Sequence, residues 1–289
     1  MVCESSRVGG GLLGCLGQRG DTADRRRRIL EELQANQELS VAGFARQFGV
    51  SEATIRRDLG RLEGLGLLER THGGAKPLTS APQVALFDTR LLSRPRVKCL
   101  IGRAAAGLVE PGDAIILDSG TTVLEVARGL PPSLVDGGDL TVITRSLVIA
   151  SQFRHHRSVR LVILGGVYVQ EFDTLVGPQV RDALRDIHAD TLFVGSDGVT
   201  VDRGLSTDNA LEASLYPLLA QCCDRVVAAV DSSKIGVHTL QTILPFDSVD
   251  TFITDDEAPP DFLRFLDSLG VETITVEVGE EEQGDGGDQ

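Results

Sequence analysis

Residues 40–59 read Ser-Val-Ala-Gly-Phe-Ala-Arg-Gln-Phe-Gly-Val-Ser-Glu-Ala-Thr-Ile-Arg-Arg-Asp-Leu, and they leave the chain little choice of local structure. Two short helical patterns meet at Gly49. In the first, Val41, Phe44, Ala45 and Phe48 share a face. In the second, Ile55, Leu59 and Leu62 recur at i, i+4 and i+7, again one helical face. Glu52, Ala53, Arg56 and Arg57 fall off that face. Ser51 stands where an N-cap hydroxyl accepts an orphan backbone N–H. Gly49 suits the left-handed backbone of a tight helix end, and Val50 is expected to plug the gap between the helices. Upstream, Ile29, Leu30 and Leu33 mark a third helix, led by Arg25 to Arg28. Three short helices with a cationic outer edge make a minimal helix-turn-helix.

The next motif extends this unit. Residues 67–75 read Leu-Leu-Glu-Arg-Thr-His-Gly-Gly-Ala, a strand, a turn at the glycine pair and a second strand. Such a hairpin would be a wing that brings Arg70, His72 and Lys76 near phosphates. Arg56 and Arg57 could bind phosphates or read guanine edges in a major groove. Ser51 and Thr54, at the start of the same helix, could reach base edges or backbone. A helical bundle with merely solvated arginines would not need the wing as well.

A formal net charge of -14 looks wrong for a nucleic-acid binder. Residues 24–76, however, hold ten Lys/Arg against eight Asp/Glu, so all the negative excess lies elsewhere. Local charge governs phosphate contacts, and an acidic remainder limits non-specific binding. The five cysteines (Cys3, Cys15, Cys99, Cys222 and Cys223) are odd in number and irregularly spaced, which argues against a disulfide framework. Cys222-Cys223 falls in a helical pattern and reads as core thiols. No CxxC or His-rich set suggests a structural metal, and no cofactor is expected. No apolar run is long enough to span a membrane. Residues 9–16 superficially resemble a signal sequence but are short and Gly-rich. Residues 1–23 read as a disordered extension, and 279–289 as an acidic disordered tail. The expected setting is cytoplasmic.

From about Pro95 the pattern changes. Apolar, β-rich runs at 114–117, 140–144, 160–164, 191–194, 225–230, 251–254 and 273–276 alternate with helical patterns at 97–109, 122–130, 147–153, 179–187, 209–222 and 262–269. Alternation of this kind implies an α/β domain with a mostly parallel sheet, helices on both faces and right-handed crossovers. The fold class is therefore α/β: a winged helix-turn-helix at 24–76, a linker at 77–95 containing Pro77, Pro82 and Pro95, and a mostly parallel α/β sensor domain at 96–278. Residues 87–90 are expected to form a short helix on the sensor.

Ligands of such sheets bind beyond the carboxyl ends of the strands. Five strand ends in turn carry small, hydroxyl-bearing or charged residues: Asp118-Ser119-Gly120-Thr121-Thr122, Thr144-Arg145-Ser146, Gly165-Gly166, Gly195-Ser196-Asp197-Gly198 and Asp231-Ser232-Ser233-Lys234. Core packing alone does not require this. Ser119 to Thr122 combines hydroxyls, a glycine and a helix start, which suits a phosphate. Arg145 and Lys234 could supply positive charge. Asp118, Asp197 and Glu212 could accept hydrogen bonds from sugar hydroxyls. The Gly pairs would admit close backbone approach.

Residues 51–59 and 67–75, with 118–122, 165–166, 195–198 and 231–234 in order and spacing, closely resemble the DeoR family of bacterial transcription regulators. The resemblance covers roughly residues 24–256. It implies a sensor domain related in fold to ribose-5-phosphate isomerase and a phosphorylated sugar or sugar alcohol as effector. It also implies repression of a carbohydrate operon, lifted by that metabolite. Two positions depart from the family: Arg145 where an asparagine is usual, and Tyr216 where a lysine is common. Arg145 could add a phosphate contact or block part of the pocket. The partners expected are double-stranded operator DNA, the effector and further copies of the chain as a homodimer or homotetramer, since paired half-sites call for symmetry. Two other readings stay open. One is a sugar-phosphate isomerase or deaminase with an added helical domain, using Asp118 or Asp197 as base and Lys234 as electrophile. The other is an activator or a regulator whose ligand is a co-repressor.

Overall fold

The computed structural model describes residues 25–26, 28–30, 32–33, 39–64, 68–76 and 86–279. The expected extension at 1–23, residues 77–85 of the expected linker and the tail beyond Gly279 lie outside these, as do Arg27 and Leu67. The chain divides into two units, Met1–Arg96 and Val97–Gln289.

In the first unit, the helix Val41–Phe48 starts at Ser40, whose Oγ accepts the Gly43 N–H at 3.0 Å, and stops at Gly49 with φ 63°. The helix Glu52–Gly64 follows, and the Thr54 N–H donates to Ser51 Oγ at 3.2 Å. Ile29 and Leu33 from the upstream helical residues, Val41, Phe44, Ile55, Leu59, Leu62 and Leu68 make one core cluster. The wing has three strands rather than the expected two: β1 (Leu39–Ser40), β2 (Glu69–Arg70) and β3 (Gly74–Lys76), in the order β1-β3-β2 and antiparallel throughout. Gly74 makes this possible. A Cβ there would lie 1.9 Å from the Leu39 carbonyl oxygen.

Two expectations for this unit change. The short helix, expected at 87–90, spans Leu86–Leu92, and its Leu92 joins the helix-turn-helix cluster. The cationic edge at Arg25–Arg28 is largely spent internally. Arg25 Nε and Arg26 Nε donate to the two oxygens of the buried Asp58 at 2.7 and 2.8 Å, and Arg28 lies 5.0 Å from the Phe48 ring centroid.

In the second unit the strands are, in chain order, β4 (Ala114–Leu117), β5 (Thr141–Thr144), β6 (Arg160–Ile163), β7 (Val167–Val169), β8 (Thr174–Val176) and β9 (Ala189–Val194). They continue with β10 (Gly198–Thr200), β11 (Gly204–Thr207), β12 (Cys223–Ala229), β13 (Gln241–Leu244), β14 (Thr251–Asp255) and β15 (Glu272–Val276). Seven form one parallel sheet in the order β15-β14-β12-β9-β4-β5-β6. Ile116 pairs with Ile143 on one side and Leu192 on the other. Successive side chains point to opposite faces. Ile116, Ile143, Leu192, Val194, Val226 and Phe252 pack on one face with Val180, Leu184, Leu219, Phe262 and Leu266 from the helices Pro178–Leu184, Tyr216–Gln221 and Pro260–Ser268. Their neighbours Ile115, Leu117, Phe193, Val227 and Ile253 are as deeply buried on the other face. The helices Thr121–Gly129 and Leu147–Phe153 contact β4, β5, β6 and β9 and contribute nothing to the first cluster.

The chain runs outward from β4 to β5 and β6, then returns to β9 on the opposite side of β4. The order therefore reverses between β4 and β9, and sheets of this kind bind ligands beyond the carboxyl ends of the strands at such a reversal. The expected helix 209–222 is two helices, Ala210–Ala213 and Tyr216–Gln221. Pro217 is the cause. In the first turn its missing N–H costs nothing, whereas inside a continuous helix its ring would clash with the preceding turn. Cys222 ends the second helix and Cys223 opens β12, both as free thiols, so the pair is not wholly helical as expected. The expected helix 97–109 spans Pro95–Ala106.

Candidate functional site

On the first unit, Arg56 and Arg57 project from the exposed side of the helix Glu52–Gly64. Arg56 Nη2 is held by Glu52 at 2.6 Å, while Arg57 has no side-chain partner among the described residues. Ser51 and Thr54 share a hydroxyl hydrogen bond of 2.9 Å at the helix start. His72 is exposed at the wing turn, where the Thr71 N–H donates to the Gly74 carbonyl at 3.1 Å. Arg70 and Lys76 face Glu63 and Glu69 at 3.8 and 3.1 Å. The unit thus carries an exposed arginine without a side-chain partner among the described residues on its second helix, and an exposed histidine at the wing turn.

On the second unit, all five expected loops follow the carboxyl ends of parallel strands. Asp118–Thr122 follows β4 at the reversal point. Gly120 takes φ 120°, no atom lies within 4 Å of where its Cβ would be, and no side chain caps the helix Thr121–Gly129 that begins there. The first-turn N–H groups of that helix lack intrahelical partners and attract anions. Gly195 after β9 stands against this turn, with its would-be Cβ 3.8 Å from Val123 Cγ2.

Arg145 is the centre of the site, and it is 1% exposed. Its Nε donates to Asp118 Oδ1 at 2.6 Å, and its Nη1 to Thr174 Oγ1 at 2.7 Å and Glu212 Oε1 at 2.9 Å. The Tyr216 ring lies 5.3 Å from its Cζ. Glu212 Oε1 also accepts from Ser119 Oγ at 3.1 Å. Burial, the largest influence, opposes the charge on Arg145, but the charges of Asp118 and Glu212 outweigh it and hold the guanidinium protonated. Burial pushes the Glu212 carboxyl up against the pull of Arg145. Burial also raises the Tyr216 hydroxyl well above its usual value, and Asp118 and Glu212 add to this. Arg145 is thus neutralised from within, so its charge is not surplus for an anion. The alternative that it fills part of the crevice fits its burial.

The remaining expected residues are less tightly joined. The Ser146 N–H donates to Thr144 Oγ1 at 3.1 Å, and Ser146 Oγ caps the helix Leu147–Phe153 while donating to Asp173. Gly166 packs against the Val176 backbone, where a Cβ would come within 2.5 Å of the carbonyl oxygen, and Gly198 against Val237 at 2.4 Å. Both glycines thus have packing reasons. Asp197 accepts from Thr207 Oγ1 at 3.0 Å and the Asp208 N–H at 3.3 Å. Lys234 sits half-buried in the turn Ser232–Lys234 with no side-chain partner among the described residues. Asp255 of β14 braces that turn through the Ser232 N–H and Oγ, both at 2.7 Å. Among the described residues, the His–carboxylate pairs His156–Asp136 and His188–Asp224 stand toward the amino ends of β5 and β6 and of β9 and β12, away from these loops.

The sequence model described as "DeoR-like helix-turn-helix domain" matches residues 25–81, and that described as "DeoR C terminal sensor domain" matches residues 93–256. The chain belongs to the DeoR family. It is accordingly a transcriptional regulator whose first unit is the DNA-binding domain. Among relatives of this DeoR-family chain, the "HTH-type transcriptional regulator GlpR" of Haloferax volcanii is 32% identical, covering 87% of this chain and 97% of its own length. The "Transcriptional repressor AccR" of Agrobacterium fabrum is 32% identical over 81% of this chain and 90% of its own. The "HTH-type transcriptional repressor GlcR" of Bacillus subtilis is 30% identical over 87% and 95%. A solved ribose 5-phosphate isomerase from Methanocaldococcus jannaschii is 19% identical with a TM-score of 0.37, covering 50% of this chain and 55% of its own, a likeness too slight to carry an argument. Among the described residues, no helix is long and apolar enough to cross a membrane.

Asp58, Asp173, Thr174 and Asp255 escaped the sequence reading. Each acts on a partner far along the chain or in a loop without periodicity, so no local pattern marks it. Tyr216 stood out only as a departure from the family, and its contact with Arg145 gives that departure a physical setting.

Proposed function

We propose that this DeoR-family regulator represses a carbohydrate-metabolism operon and leaves its operator when a phosphorylated sugar or sugar alcohol occupies the crevice between β4 and β9. The observation that carries the reading is the uncapped start of the helix Thr121–Gly129 at the strand-order reversal, with Gly120 open beside it. The phosphate would take the Ser119–Thr122 turn, with Lys234, which has no side-chain partner among the described residues, as a cation and Asp118, Asp197 and Glu212 toward hydroxyls. Repressor names among the relatives support the direction. On DNA, Arg57 and Arg56 would enter the major groove with Ser51 and Thr54. Arg70, His72 and Lys76 would track the adjacent backbone. A homodimer or homotetramer would supply two such units to paired half-sites.

Fluorescence anisotropy with a labelled duplex from upstream of the chain's own gene tests this directly. Nanomolar-range binding that millimolar sugar phosphates weaken is the expected result. Binding that such ligands strengthen would turn the reading into co-repression. Turnover of ribose 5-phosphate or glucosamine 6-phosphate would restore the enzyme alternative.

A further inference from the structure

The polar atoms left over around Arg145 describe something narrower than an anion site. Arg145 Nε and Nη1 are used by Asp118, Thr174 and Glu212. Arg145 Nη2 and Asp118 Oδ2 are buried and have no hydrogen-bond partner among the described residues. A guanidinium nitrogen only donates, and a carboxylate oxygen only accepts. Buried groups of this kind are normally satisfied, and exceptions call for an explanation. Both atoms belong to one ion pair, closed at 2.6 Å through Nε and Oδ1.

The chemistry of a group that would meet both follows from the charges. A phosphate oxygen would accept from Nη2, but it would stand beside the carboxylates of Asp118 and Glu212 and leave Oδ2 unmet. A protonated amine would donate to Oδ2, yet it would add a second cation beside the guanidinium and leave Nη2 unmet. A hydroxyl serves both, because its oxygen accepts from Nη2 while its proton goes to Oδ2. We propose that Arg145 and Asp118 together read one hydroxyl of a polyhydroxylated effector, and that Arg145 is thereby a specificity-determining residue. It admits a hydroxylated carbon at that position and rejects a deoxy or amino carbon. The proposal rests on the reading that the effector's phosphate takes the Ser119–Thr122 turn. Ser119 ties the two places together, since Glu212 Oε1 accepts from both Ser119 and Arg145.

Isothermal titration of the full chain with hexose 6-phosphates and ribose 5-phosphate, each beside a series lacking one hydroxyl at a time, tests the proposal. Glucosamine 6-phosphate and inorganic phosphate complete the set. One deoxy position is expected to lose about tenfold or more in affinity, because a site built for a hydroxyl is left with unpaired groups. Arg145→Lys keeps a cation opposite Asp118 but has no planar fork. It is expected to bring that one pair within about twofold. Equal binding of every deoxy analogue by the wild type would overturn the proposal, as would undiminished discrimination in Arg145→Lys. The wild-type series decides the matter even if the variant does not fold. If neither inorganic phosphate nor any sugar phosphate binds, the effector reading fails and this proposal falls with it. If they bind without discrimination, the proposal alone falls.

Discussion

Arg57 and Asp58 are adjacent on one helix and use charge in opposite ways. Arg57 is exposed and unpaired among the described residues, so its charge is available to a phosphate. Arg57→Ala is expected to weaken operator binding and to lower the slope of log affinity against log salt by about 1, with thermal stability unchanged. An unchanged slope in anisotropy titrations would remove Arg57 from the interface. Asp58 is 1% exposed and ties Arg25 and Arg26 to the helix. Asp58→Ala would leave both arginines without their acceptor and is expected to cost about 1.5–3 kcal/mol, the range for hydrogen bonds to charged groups. Urea unfolding followed in the first unit measures it. Arg57 was legible in the sequence because its position off the apolar face is a local fact. Arg145 was not, because its partners Asp118 and Glu212 lie 27 and 67 residues away. An arginine after a strand reads the same whether it faces a ligand or two carboxylates.

The wing shows how one residue decides an element. The carbonyl of Leu39 occupies the space a Gly74 side chain would need, and β3 is the middle strand of its sheet. Gly74→Ala is expected to open the wing and to reduce operator affinity at least about tenfold, while the second unit keeps its own unfolding transition. Gly73→Ala, with no atom within 4 Å of its Cβ, is the control and should bind nearly as the wild type. Elements were legible in proportion to their length and burial. The five inner parallel strands are largely buried on both faces and read as continuous β-rich runs. β7, β8, β10, β11 and β13 have three or four residues each, too few to show an alternation. The two-helix break at 214–215 was missed because the apolar spacing continues across it, although Pro217 was in view. The strand-end loops of the site were legible because topology, rather than side-chain detail, sets where they go.

At the scale of the whole molecule, charge buried in the second unit links stability to pH. Burial raises the folded-state pKa of Glu212 above its unfolded value. Its stabilising contribution is therefore fully present below the unfolded pKa and is lost as pH rises through the raised one. The stability of the wild type relative to Glu212→Gln is therefore expected to fall as pH rises above the ordinary carboxylate range, read as the difference in melting temperature. The two units must also be coupled if an effector is to move the chain off DNA, and that coupling is reciprocal. A ligand alters DNA affinity only through a difference in its own affinity for the two states. If effector weakens operator binding by some factor, operator must weaken effector binding by the same factor, about 5- to 150-fold for typical couplings. Titrating a sugar phosphate that binds into the free chain, and then into the chain saturated with operator duplex, measures the second factor. Anisotropy with and without that sugar phosphate measures the first. Equal factors are the expected result. An effector that binds free and DNA-bound chain alike has no means of lifting repression, however tightly it sits at the Ser119–Thr122 turn.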